Sequence, residues 1–365
     1  MSRSWVRVVA AFAAFVLVAL GSMALLFSFA PDAATNSWAL LTLLAVGAGI
    51  AVYALIERAQ TGRVDSIREQ LPTRIWVLMP VAIALNIVLG QAVGSALRIP
   101  IYLDSIGTIL VAALGGPIAG ALTGLLSNLL WAYVVPPPFQ GPTAAAFAVT
   151  AVAVGLLAGT FTRYGFLRPR PGRRGRELLV AALVAIGLIV AMAAIVVRYQ
   201  AFLLDSGQPG LGSDGIAPQS DSQLWVVLGW VAVILVILAV LGMLYLLFAR
   251  RDVTVAWVIV AGIVTGIVGA LISAPIAANL FGGVTGGGTD FIVAALRQGG
   301  ADIQNAVLGQ SLISDPIDKT ITYVLAYLIL GAMATRTKAR FPQGDLLIPD
   351  GDQLDPAGMA LRATR

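Results

Sequence analysis

The sequence contains no cysteine and no histidine. Their absence excludes disulfide frameworks, thiol catalysis, histidine-based metal sites, Ser-His-Asp triads and phosphohistidine relays. Lysine is almost missing as well, with Lys319 and Lys338 the only two. Neither stands in a G-x-x-x-x-G-K-[ST] phosphate loop, so the chain is expected to bind no ATP itself and to leave any hydrolysis to partner subunits. Charge of either sign is scarce, at 11% of residues against about 25% in soluble domains. Any chemistry must then use carboxylates, amides, hydroxyls or Arg and Lys, and the leading expectation is no catalytic residue, no metal and no cofactor bound directly.

What is abundant is apolar. Hydrophobic residues make up 59% of the 365, and the mean hydropathy is +0.91, a membrane composition. Runs near the roughly 20 residues that a bilayer demands fall at 5–29, 38–58, 74–98, 118–135, 142–162, 177–198, 224–248, 254–281 and 317–336. The first follows "MSRSWVR" without a convincing small-residue cleavage site and reads as a retained helix. The arginine-rich loops 58–74 and 163–176 should share the cytoplasmic side. An even number of crossings must separate them, so the shorter run 102–116 is expected to cross too. The fold class is then an all-α transmembrane bundle of about ten helices with both termini cytoplasmic.

On this topology "FGGVTGGGTD" (281–290), with five glycines from Gly282 to Gly288, lies outside. It lacks a lysine, which removes the phosphate-cradle reading and leaves a mobile outer loop whose end Asp290 fixes. In "SDPIDK", Asp315 is expected to cap a helix that Pro316 opens, with Asp318 in its first turn. "FIVAAL" and "AVLGQSLI" are too short to span and read as interfacial or re-entrant helices. Asn86, Gln91, Asn128 and Asn279 fall within apolar runs, where amides act as interhelical glue, ligand contacts or both. Three small-xxx-small pairs, Gly90/Gly94, Gly120/Gly124 and Gly262/Gly266, predict close helix packing or a sliding surface for a partner. The Pro/Gly/acid-rich stretch from Phe341 reads as disordered.

Two blocks carry a family likeness. "PIYLDSIGTILVAALGGPIAGALTGLLSNLL" (100–130) and "GIVGALISAPIAANLFGGVTGGGTDFIVAAL…SDPIDKTITYVLAYLIL" (266–330) resemble substrate-binding S components of energy-coupling factor (ECF) transporters, over about half the chain. The resemblance implies a six-helix core at 73–165 and 254–340, with four additional helices at 1–72 and 166–253 and a tail at 341–365. It also implies a multi-pass subunit of a prokaryotic cell membrane that binds a vitamin or related small molecule outside. Such a subunit works with a transmembrane coupling subunit and two cytosolic ATPases. Ligand contacts would come from Tyr102, Asp104, Asn128, Gln140, Thr285, Thr289, Asp290, Asn305, Asp315, Asp318 and Lys319. The family's A-x-x-x-A docking motif finds its nearest match at Ala92 and Ala96, overlapped by Gly90 and Gly94. Acid outnumbers base on this outer face, which favours a cationic or zwitterionic ligand. Two other classes remain open: a membrane sensory module signalling through a partner, and a membrane enzyme holding a divalent metal on Asp290, Asp315 and Asp318.

Overall fold

The computed structural model describes residues 3–29, 31–64, 69–96, 101–137, 139–170, 223–286 and 288–349, with isolated positions between 176 and 194. Every regular element among them is helical. In order these are α1 (Arg3–Phe29), α2 (Pro31–Thr61), α3 (Thr73–Gly90, continued by a π-helical turn Gln91–Ala96), α4 (Ile106–Gly115) and α5 (Pro117–Tyr133). Then follow α6 (Ala148–Arg163), α7 (Gln223–Phe248), α8 (Thr254–Phe281), α9 (Asp290–Gln298), α10 (Ile303–Ala332) and α11 (Thr335–Lys338). Among the described residues, two helices, Thr73–Val93 and Thr254–Phe281, are long and apolar enough to cross a membrane. Of the expected helix at 177–198 only isolated helical positions are described, and 199–222 lie outside the described residues.

Glycines decide how the helices pair. A Cβ on Gly120 or Gly124 would come closer than 3.0 Å to the backbone of Gly155 or Ala151, so α5 and α6 lie antiparallel in near-backbone contact. In the same way Gly262 and Gly266 admit Thr320 and Pro316, which joins α8 to α10. Both pairs are packed inside the chain and offer no sliding surface to a partner. Gly107 of α4 sits on the Ala82 carbonyl of α3, and nine of the ten residues of α4 are buried.

The segment 102–116 connects the two ends of the bundle, as the parity of the loops required, but by an unexpected device. At about 1.5 Å per residue, α4 is roughly 15 Å long, about half a hydrocarbon thickness. It is preceded by a tight turn at Leu103–Ser105, in which Leu103 adopts a positive φ of 52°. Such a short apolar helix is protected by being wrapped, with α3, α5, α6 and α10 all packed around it.

Basic residues collect at one end. There Arg74 Nη1 donates to the Arg340 carbonyl at 2.8 Å, Arg170 N–H donates to Asp252 at 3.1 Å, and Thr254 Oγ1 donates to the Arg168 carbonyl at 2.8 Å. Arg163 and Arg340 line one groove at this end with Glu69 and Gln343. The Arg7–Glu57 ion pair, 3.4 Å, closes the α1/α2 hairpin.

Two expectations are corrected here. The first concerns "SDPIDK". Asp315 caps nothing, because α10 runs unbroken from Ile303 with Pro316 in its interior. "AVLGQSLI" is therefore part of that helix and not a separate re-entrant piece. Its N-cap is Asp302, whose side chain accepts from Asn305 N–H at 3.0 Å. The second concerns the tail. Residues 341–349 are ordered: Gln343 N–H donates to the Leu114 carbonyl at 2.9 Å, a 3-10 turn spans Gly344–Leu347, and Leu347 and Ile348 are buried. Residues 350–365 lie outside the described set.

Hydrogen bonds from Asn305 and Gln304 hold the Asp302 carboxyl below its ordinary pKa. A depressed folded-state value means that the cap contributes fully above the unfolded pKa of about 4 and is lost as pH falls through the lower folded value. The protection of amides in the first turn of α10, taken as the exchange rate relative to the intrinsic rate at the same pH, should therefore begin to fall below about pH 4. In Asp302→Asn, which keeps a capping oxygen, that pH dependence should vanish. An unchanged acid response in the variant would place its origin elsewhere.

Candidate functional site

At the end opposite the arginines the helices part around a cavity of ≈ 170 Å³, walled by α5, α6, α8, α10 and the 102–105 and 283–286 segments. Its floor is the polar face of α10. Gln310, Ser311, Ser314, Asp315, Asp318 and Lys319 recur at helical spacing and are all buried. Gly266 lets the Pro316 backbone approach α8, which sets Asp315 against Ser273.

Lys319 is the hub. Its ammonium donates to Asp318 at 2.7 Å, to Ser105 Oγ at 3.0 Å and to Asp104 at 3.2 Å. An ammonium has three donors, and all three are used. Asp318 is fully buried and stands behind the cavity wall. Its Oδ1 accepts from both Tyr102 N–H and Leu103 N–H at 2.9 Å. A carboxylate receiving two successive amides fixes the tight turn that puts Leu103 in a left-handed conformation. Thus α10 reaches across the bundle to hold the loop before α4.

The glycine run forms the cover. Gly282, Gly283 and Gly286 all have positive φ, a region open to glycine without steric cost. Asp290, at the start of α9, accepts from Thr285 N–H and Oγ1 at 3.0 Å and from Gly286 N–H at 2.8 Å. Thr285, Gly286 and Asp290 line the cavity. The Tyr102 hydroxyl and Thr289 Oγ1 share a hydrogen bond of 2.6 Å, joining the cover to the α4 loop.

The opposite wall is aromatic. The Trp131 ring sits between Gly90 and Gly141, at each of which a Cβ would come within about 2.8 Å of the ring. Its Nε1–H donates to the Phe139 carbonyl at 3.1 Å. This corrects the docking assignment. Gly90 faces inward to make room for Trp131, and Ala92 is fully buried beside Val88 and Phe139. What Gly94 and Ala96 pack against lies outside the described residues.

Compared with known protein families, curated proteins and solved structures, the chain matches none.

Of the residues read from sequence, Tyr102, Asp104, Asn128, Thr285, Asp290, Asp315 and Lys319 line the cavity. Thr289 and Asp318 support it from behind. Two are corrected away from it: Gln140 donates to the Ala132 carbonyl, and Asn305 is turned to Asp302 at the exposed start of α10. Among the other amides, Asn86 is glue. It donates to Thr108 and Ser127 and accepts from Gly107 N–H, tying three helices together. Asn279 accepts from Gln304 at the mouth of the bundle.

Sequence reasoning missed Gln310, Ser311, Ser273 and Thr150 as lining residues. The first two carry a readable signal, since they continue the stripe of Asp315 and Lys319 once α10 is taken as one helix. Ser273 and Thr150 carry none, because isolated hydroxyls are common on apolar helices. Thr150 Oγ1 is buried without a hydrogen-bond partner.

Proposed function

We propose that the chain is a membrane-embedded substrate-capture subunit of an ECF-type importer, with no catalytic activity of its own. It would take a vitamin or related small molecule from outside into the cavity over α10. Delivery inward would depend on a transmembrane coupling subunit and two cytosolic ATPases. The observation that carries this reading is the placement of a polar-floored cavity beside a glycine-rich cover, at the end opposite the arginines. By the positive-inside rule the arginine end is cytoplasmic and the cavity end external. Two helices of membrane length support a bilayer setting, as do the large apolar side chains exposed along α1, α3, α7 and α8, among them Leu17, Val77, Ile234 and Leu271. The full proposal is a bundle of about ten crossings in a prokaryotic cell membrane, with both termini inside.

Affinity purification of the full chain from its native membrane tests the division of labour. Co-isolation of ATPase subunits and ATP-dependent uptake in vesicles are expected. Asp290→Asn, which replaces a doubly accepting carboxylate at the cover by an amide, should lower uptake at least about ten-fold at equal membrane abundance. Isolation with a signalling protein and no ATPase would sink the importer reading in favour of a sensory module.

A further inference from the structure

The cavity's charges are unequally matched, and the mismatch identifies a ligand class. Asp104, Asp290 and Asp315 line it, Asp318 lies directly behind, and Lys319 is the only basic side chain on its wall among the described residues. Lys319 has spent its donors on Asp104, Ser105 and Asp318, so it has none left for an anionic ligand. The Thr285 and Gly286 amides are taken by Asp290, which leaves an anion neutral side chains such as Asn128 and, among the described residues, no free cation.

Asp315 stands apart. It is buried, and its carboxylate accepts from two neutral hydroxyls only, Ser314 Oγ at 3.2 Å and Ser273 Oγ at 3.3 Å. It makes no ion pair of its own, because Lys319, one helical turn along α10, is bound to Asp104 and Asp318; a buried carboxylate so placed is costly, and a bound cation relieves that cost. Among the described residues no cluster of three or more acidic groups converges around a point where a metal ion could sit. The wall facing α10 offers the rings of Trp131, Tyr102 and Phe147, surfaces that attract organic cations.

Resting on the capture reading, we propose that the ligand is a small organic monocation, its positive group on Asp315 and its apolar body against Trp131, and that anions and zwitterions are rejected. The size is bounded too. A dry cavity of about 150 Å³ holds one benzene-sized ring, and this one measures ≈ 170 Å³.

The test is calorimetric titration of the full-length protein in detergent with three probes of one shape: benzylammonium, benzyl alcohol and benzoate. Benzylammonium should bind at least ~10-fold more tightly than benzyl alcohol, and benzoate should show no binding. Asp315→Asn should bring benzylammonium down to the level of benzyl alcohol and leave benzyl alcohol unchanged, while thermal unfolding checks that the variant is folded. The comparison of the three probes on the unsubstituted protein does not depend on that variant. Benzoate or benzyl alcohol binding as tightly as benzylammonium overturns the cation assignment and leaves substrate capture standing. So does an affinity for benzylammonium that survives Asp315→Asn. Binding of none of the three overturns both readings, because the cavity would then not be a small-molecule site.

Discussion

Lys319→Met is expected to destabilise the protein by about 3–5 kcal/mol, the range for removing one partner of a buried ion pair. The cost arises because Asp318 is fully buried and would keep its charge with only the Tyr102 and Leu103 amides and no ammonium. Which second substitution rescues it is informative. Asp318→Leu would remove the stranded charge but orphan two backbone amides, each costing about 1–3 kcal/mol when buried. Asp318→Asn removes the charge and keeps an oxygen for them. The double variant Asp318→Asn/Lys319→Met should therefore be more stable than Lys319→Met alone, with Asp318→Leu/Lys319→Met clearly worse. Denaturant or thermal unfolding of the purified variants reads the difference. Simple additivity of the single losses would show that the pair does not act as a unit.

Gly266→Ala is expected to cost at least about 1–3 kcal/mol, the usual penalty of overpacking. The added methyl would meet the backbone of Asp315 and Pro316 and not the flexible end of a side chain, so α8 and α10 must separate. Because Asp315 is the residue displaced, benzylammonium binding should fall with stability. Gly331→Ala, near the C-terminal end of the same α10, has nothing within 4 Å of the added carbon and should cause no loss. Equal melting temperatures for the two alanine variants would refute near-backbone contact between α8 and α10.

Much of the architecture is legible in the sequence because apolar length and arginine placement are strong signals. The long runs that fall within the described residues are helices, and the arginine-rich loops meet at one end of the bundle. The parity of the loops even demanded the short segment 102–116, although not the buried ten-residue helix by which it is achieved. The failures have local causes. Pro316 follows an ideal capping residue, so Asp315 looked like a helix start, whereas the contact with Gly266 makes room for the proline inside a continuous helix. Small residues at four-residue spacing announce close packing without saying what packs, and at Gly90 the neighbour is Trp131 of the same chain. The stretch 341–349 has no periodicity to read, yet one backbone hydrogen bond and two buried side chains anchor it. Gln140 and Asn305 were chosen for polarity near the right end, and both spend that polarity on neighbouring backbone or cap groups.

The tie between Gln343 and Leu114 has a mechanical consequence. It fastens the foot of α4 to the segment that follows α10, while Asp318 and Lys319 of α10 fasten the loop at its head. Held at both ends by one neighbour, α4 acts as a strut. Moving the 102–105 segment, and with it that wall of the cavity, away from α10 requires parting the upper fastening while the lower one still holds.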